Sequence, residues 1–266
     1  IERARGLFGQ ALAIDSALAP AWAGLGQAEW SLWRSSKDDA HVARARSAFE
    51  TAVRLAPELS DGHVGLGEVQ AGTGFPEPAI REFKAAIGLD VANDLAYRGL
   101  ALAYQKMGRP AEAESAYREA IALRTDYWGG YSGLGAFYYQ EARYPEAIGM
   151  FRRVTELAPG NASGWRNLGS VLGQYPGRRL EAVAALRHSI VLRPDYIAYN
   201  TLAALLYYDG RLSEAAEMYG KSLELNRQDY RVWGTLADCL RHMPGKASEA
   251  KRDYEEAIRC AEHALE

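Results

Sequence analysis

Two cysteines in 266 residues, Cys239 and Cys260, leave no material for a disulfide framework, and free thiols are the reading. Charge of neither sign dominates: 31 Lys and Arg stand against 34 Asp and Glu, for a net charge of −3 and a pI near 6.0. No basic field of the kind that holds nucleic acid is present, so nucleic acid is not expected as a partner. No apolar run approaches the length of a membrane span, and insertion into a membrane is not expected. The opening stretch IERARGLFGQ lacks the charged and apolar regions of a signal peptide. It reads as the middle of a helix, so a fragment of a longer, cytoplasmic chain is expected. Runs of β-branched residues are scarce while Ala and Leu abound, which points to an all-α fold.

Catalytic signatures are missing as well. The five histidines, His41, His63, His188, His242 and His263, are scattered, and none has a paired metal-ligand neighbour. There is no GxSxG elbow and no P-loop, and Gly133 with Gly135 does not complete a GxGxxG. Acidic runs such as RDYEEAIRCAEHALE alternate with arginines as a solvated helix face does. The aromatics Tyr127, Trp128, Tyr131, Phe137, Tyr138 and Tyr144 fall mostly at packing positions. No enzyme, no metal and no cofactor is expected.

What the chain does have is a period. WAGLGQAE from Trp22, HVGLGEVQ from His63, YRGLALAY from Tyr97 and YSGLGAFY from Tyr131 align with one another. WRNLGSVL from Trp165, YNTLAALL from Tyr199 and WGTLADCL from Trp233 continue the series. Their first residues are 41, 34, 34, 34, 34 and 34 positions apart. A second signature follows each: alanine, three residues, an aromatic, two residues and a small residue. Ala45, Phe49 and Ala52 carry it, as do Ala79, Phe83 and Ala86, Ala113, Tyr117 and Ala120, and Ala147, Phe151 and Val154. Leu186 replaces the aromatic between Ala182 and Ser189; Ala215, Tyr219, Ser222 and Ala250, Tyr254, Ala257 complete the set. A lone copy, Ala4, Phe8 and Ala11, opens the chain.

Both signatures have helical spacing. Gly26, Gly67, Gly135 and Gly169, four places after their anchors, are expected to let a neighbouring helix approach closely. Gly74, Gly108 and Gly210 are placed as helix C-terminal glycines, and Pro57, Pro159 and Pro194 end second helices.

The period, anchors and punctuation resemble those of the tetratricopeptide repeat. The resemblance implies an all-α, right-handed α–α superhelix, a solenoid of helix-turn-helix repeats whose first helices line a concave groove. It divides 1–266 as one array: 1–18 an orphan second helix, then repeats at 19–59, 60–93, 94–127, 128–161, 162–195, 196–229 and 230–266. The first repeat carries seven extra residues around SSKDDAH, read as a longer loop or an extra turn on one helix; QYPGR and HMPGK each add one more.

If stacking consumes the anchor face, a partner meets the opposite face. Two places after the anchors stand Gly24, Gly65, Gly99 and Gly133, then Asn167, Thr201 and Thr235. This reads as a smooth, glycine-floored half of the groove followed by a polar, aromatic half. The candidate partner-binding residues are Arg98, Gln105, Tyr139, Arg166, Asn167, Asn200, Thr201, Tyr207, Tyr208, Asp238 and Arg241. Groove-binding members of the family hold a peptide backbone with asparagines and its carboxylates with basic residues; Asn167 beside Arg166 resembles that arrangement. The lysines of the full carboxylate clamp are missing. The resemblance therefore implies a non-catalytic scaffold binding a protein or peptide segment, of acidic character where basic residues meet it. Asn167 and Arg166 are expected to be replaceable without loss of stability. The array also looks like the repeat regions that follow kinase or cyclase domains in bacterial signalling proteins. The alternative function is accordingly a spacer or self-association module of such a protein.

Overall fold

A computed structural model describes residues 1–264, and within them the chain is built of α-helices with no strand. It divides into two compact units, residues 1–134 and 135–266, and the division falls inside one helix. The first unit holds α1 (Glu2–Ile14), α2 (Ala19–Ser36), α3 (Ala40–Leu55), α4 (Ser60–Gly72), α5 (Pro76–Leu89), α6 (Asp94–Lys106), α7 (Pro110–Leu123) and the start of α8 (Trp128–Gln140). The helices pack as consecutive antiparallel-type pairs: α2 on α3, α4 on α5, α6 on α7. The second helices α1, α3 and α5 also pack on the next first helices, α2, α4 and α6, and first helices touch one another, α2 with α4 and α4 with α6.

The second unit repeats this scheme with the end of α8 and with α9 (Tyr144–Leu157), α10 (Ala162–Gln174), α11 (Arg179–Leu192), α12 (Tyr196–Tyr208), α13 (Leu212–Leu225), α14 (Tyr230–Arg241) and α15 (Ala247–His263). The pairs α10–α11, α12–α13 and α14–α15 are the main contacts, and α10 meets α12.

One contact recurs along the chain. The second-helix ring sits where two glycines leave room for it. A Cβ added at Gly26 would lie 2.9 Å from the Phe49 ring, and one at Gly65, on the next first helix, only 2.0 Å from it. Phe83 is held in the same way between Gly67 (2.7 Å) and Gly99 (2.3 Å). Phe8 fills the space before Gly24, and Tyr117 the space before Gly133. In the second unit Gly135 meets Phe151 at 3.1 Å and Gly169 meets Leu186 at 2.6 Å. Gly24, Gly65, Gly99 and Gly133 are thus not an open groove floor. Each is the socket for the ring of the preceding second helix, and that contact offsets the roughly 1 kcal/mol by which an interior glycine weakens a helix.

The anchors are packed rings with a polar tip. Trp22, Trp165 and Trp233 donate their indole N–H to the carbonyls of Ser16, Pro159 and Arg227, and the Tyr131 hydroxyl donates to Thr125. In every case the acceptor lies six residues earlier, in the turn closing the preceding repeat. His63 does the same, its Nε2 standing 3.1 Å from the Pro57 carbonyl and its Nδ1 2.7 Å from Glu82. Imidazole can therefore occupy a position that otherwise holds Trp or Tyr. Of the aromatics read as core, Phe137 and Tyr138 are buried. Trp128 is exposed, and Tyr127 lies under the guanidinium groups of Arg98 and Arg124.

The insertion in the first repeat is absorbed by helix and not by loop. The helix α2 is 18 residues long against 13 for α4, and α3 is 16 against 14 for α5. Its His41 is buried, with Nδ1 2.6 Å from Glu29, to which Arg44 also donates at 3.0 Å. Burial alone would push the Glu29 carboxyl up, but the hydrogen bonds from His41 and Arg44 hold it below its ordinary value. The contact therefore contributes stability at neutral pH that is lost as pH falls through the lowered carboxyl pKa.

The turn glycines Gly74, Gly108 and Gly210 have φ of +92°, +67° and +72°. Ala142, in the same register, is forced to +55° without the freedom of glycine. Replacing Ala142 with Gly is expected to raise the melting temperature, by about 1 kcal/mol of relieved left-handed strain; calorimetry checks it. Gly65→Ala is expected to cost about 1–3 kcal/mol through collision with Phe49. Adding Phe49→Leu is expected to recover part of that loss in a double-mutant cycle, since the chain itself pairs Leu186 with Thr201 at the corresponding positions.

Candidate functional site

Among the cavities of the two units, one in each is bordered by residues singled out from the sequence. The cavity of the second unit, about 420 Å³, is bordered by α8, α9, α10 and α12. Four of the residues singled out from the sequence line it: Tyr139, Arg166, Asn167 and Thr201. They come together because first helices of three successive repeats stand side by side and present the face turned away from their anchors. The rotation of about 100° per residue puts the first, second and eighth positions after an anchor on that face.

Tyr139 is 38% exposed, and its ring lies 5.9 Å from that of Tyr144. The Asn167 amide makes no hydrogen bond among the described residues and stands beside Phe151, where the earlier repeats have a bare glycine. Its two donors and one acceptor are free for a peptide backbone. Thr201 spends its hydroxyl proton on the Ile197 carbonyl at 2.8 Å. Arg166 is engaged differently from the sequence-based expectation. Its Nη1 donates to the carboxylate of Asp195, which also caps α12 by accepting from the Ile197 amide. The expectation that Arg166 is replaceable at no structural cost is therefore corrected: its guanidinium ties α10 to the start of α12.

The other sequence-derived candidates lie elsewhere. Asn200 is half-buried but does not border the cavity. Tyr207 and Tyr208 form an edge-to-face pair with centroids 5.9 Å apart, and Tyr208 is exposed. Asp238 accepts a 2.5 Å hydrogen bond from the Tyr254 hydroxyl and lies 3.6 Å from Arg241. Tyr207 and Tyr208 end α12, Asp238 and Arg241 lie on α14, and none of the four borders the cavity. In the first unit, Gln105 accepts from the Tyr117 hydroxyl at 3.4 Å, and Arg98 borders the cavity of that unit.

Sequence reasoning missed Ala136, Gln140, Ser170, Gln174, Ile197 and Phe151 as walls of the second-unit cavity. A signal for Phe151 was present: it is the first second-helix ring whose partner position in the next repeat, Asn167, is not glycine. The residues just before an anchor, such as Ile197, gave none, because their exposure depends on how far one helix overhangs the next.

Nothing in the described residues assembles three or more His, Cys, Asp or Glu side chains as a metal site would require. Burial pushes the Cys239 thiol up to about 11, so at neutral pH it is protonated and a poor nucleophile. No helix among the described residues is long and apolar enough to cross a membrane.

Comparison with known proteins places this arrangement. Residues 69–127 and 98–162 match a tetratricopeptide repeat family model, and residues 197–228 match a second tetratricopeptide repeat model. Cellulose synthase operon protein C of Xanthomonas axonopodis pv. citri (strain 306) is 38% identical over 88 residues, which is 33% of this chain and 5% of that protein. The crystal structure of the APC/C hetero-tetramer Cut9-Hcn1 is similar over 90% of this chain and 46% of that chain, with a TM-score of 0.75 at 17% identity. The structure of Pseudomonas aeruginosa pilF is similar over 76% of this chain and 89% of that one, with a TM-score of 0.66 at 22% identity. The chain thus spans a small part of the curated relative and about half of the Cut9-Hcn1 chain. At these identities the structural likeness shows the fold.

Arg166→Ala is expected to lower stability by about 1 kcal/mol or more, because it strands the partly buried Asp195. Asn167→Ala, which removes no internal hydrogen bond, is expected to leave the melting temperature unchanged. Denaturant unfolding of the two variants side by side checks both.

Proposed function

The chain carries tetratricopeptide repeats, a fold that points to a protein–protein interaction scaffold, and on that premise we propose that it binds an extended peptide segment of a partner at the second-unit cavity. The observation that carries this reading is the Asn167 amide, half-buried, without an internal partner, and framed by Tyr139 and Thr201. An asparagine so placed offers N–H and C=O together to a peptide backbone, and Tyr139 adds a rigid, amphipathic contact. Arg166 shapes this site through Asp195 and is not the main carboxylate receptor. The array acts without catalysis, as the interaction module of a larger regulatory protein. The curated relative, of which the matched stretch is only 5%, supports the modular part of this reading.

A second reading, self-association, has one observation in its favour. None of the residues of α1 is buried, and Leu7 and Ile14 are 56% and 89% exposed.

A random peptide-display library panned on the whole chain is expected to enrich sequences that the Tyr139→Ala, Asn167→Ala variant retains at least about tenfold less well. Equal retention by both proteins would overturn the peptide reading. Light scattering across a concentration series tests the second reading, which a monomer at every concentration would exclude.

A further inference from the structure

The first unit holds a cavity of about 450 Å³ whose wall is the insertion that interrupts the period of the sequence. The helix α2 runs five residues further than α4, and that extension, with its capping residue, brings Trp33, Arg34 and Lys37 over the adjoining α4 and α6. At the same distance from the anchor the other first helices have already ended, so Trp33, Arg34 and Lys37 are a wall supplied by the insertion.

Its chemistry is one-sided. Arg34, Lys37, Arg98 and Lys106 face a single carboxylate, Glu68. Neither Arg34 nor Lys37 has an ion-pair partner among the described residues; Lys37 lies 4.6 Å over the Trp33 ring. Lys106 donates to the Ala71 carbonyl, and Arg98 stands 3.3 Å from Asp94, a carboxylate it shares with Arg124. Burial pushes the Glu68 carboxyl up from its ordinary value. Glu68 Oε2 is buried without a hydrogen-bond partner, while Arg98 Nε is held by the Asp94 carboxylate as an ion pair. Around them, Leu95 and Leu102 are 46% and 44% exposed, an aliphatic rim at the mouth.

We propose that this cavity is a second binding site, taking an extended acidic peptide segment that carries one bulky apolar side chain. The carboxylates of the segment meet Arg34, Lys37 and Lys106, and its apolar side chain rests on Leu95 and Leu102. A single-stranded nucleic acid fits less well. Base stacking needs a free aromatic face, whereas Trp30 and Trp33 stack on each other at 4.4 Å and Lys37 covers Trp33. The preference for acid that the sequence attaches to Arg166 belongs here, where the cations are not all spent on internal partners. The site is independent of the one proposed in the second unit.

The test uses fluorescence anisotropy with labelled short peptides of one design: a central leucine flanked by Asp and Glu, by Ser, or by Lys. The whole chain is expected to bind the acidic peptide at least about tenfold more tightly than the other two, with the preference shrinking as salt is raised. Arg34→Gln with Lys37→Asn removes two charges while keeping a good helix former and a residue that tolerates the left-handed conformation of Lys37 (φ 59°). This variant is expected to keep its melting temperature and to lose the acidic preference about tenfold, while Asn167→Ala leaves it intact. Absent or equal binding of the three peptides overturns the proposal, as does a preference that survives in the variant. Displacement of the acidic peptide by an oligothymidylate of equal charge, at lower concentration than by unlabelled acidic peptide, overturns it in favour of nucleic acid.

Discussion

An aromatic ring needs a place where no Cβ stands, and this requirement organises the repeats. The ring of a second helix lies between a glycine of its own first helix and a glycine of the next, as Phe49 does between Gly26 and Gly65 and Phe83 between Gly67 and Gly99. The ring thereby links helices within a repeat and between repeats at once. Phe49 and Phe83 are each 1% exposed, so the apolar area they withdraw from water is close to the maximum for their size. Five of the anchors complete the join from the other side: Trp22, His63, Tyr131, Trp165 and Trp233 carry a polar tip back to a carbonyl six residues earlier, pairing a backbone group that the turn leaves open.

Where the rule is relaxed, surface becomes available for something other than stacking. Asn167 stands where earlier repeats have glycine, and the second-unit cavity opens beside the Phe151 ring. The lengthened α2 overshoots its neighbours, and the first-unit cavity forms beneath the overhang. Both exceptions bring polar atoms without a hydrogen-bond partner, the Asn167 amide in one and Glu68 Oε2 in the other.

The fold was legible because its information is local and repeated. Helical spacing, the 34-residue interval and the turn glycines each depend on neighbours close in sequence, and the positive φ of Gly74, Gly108 and Gly210 follows from their places after a helix. The site was legible in part. Tyr139, Arg166, Asn167 and Thr201 meet as helical periodicity requires, since their positions on one face follow from counting residues from an anchor. What counting could not reveal is what each face touches. Gly133 looked open from its own helix, yet the Tyr117 ring fills the space before it. Arg166 looks free in the sequence, yet its guanidinium donates a hydrogen bond to Asp195, 29 residues on. Tyr127 and Trp128 looked like core but stand at a surface, one of them under two arginines.

The sequence by itself determined the class of structure, the number and order of the helices up to the insertion, and the identity of the packing anchors, because hydrophobic periodicity and turn chemistry act over one or two helical turns. Only the tertiary structure decided which polar groups are spent. That α2 lengthens where a loop could have formed, that Arg166 pairs internally, and that Arg34 and Lys37 do not, depends on the distance between helices a full repeat apart. Such distances are set by the size of the side chains packed between the helices, a quantity that no spacing along the chain records.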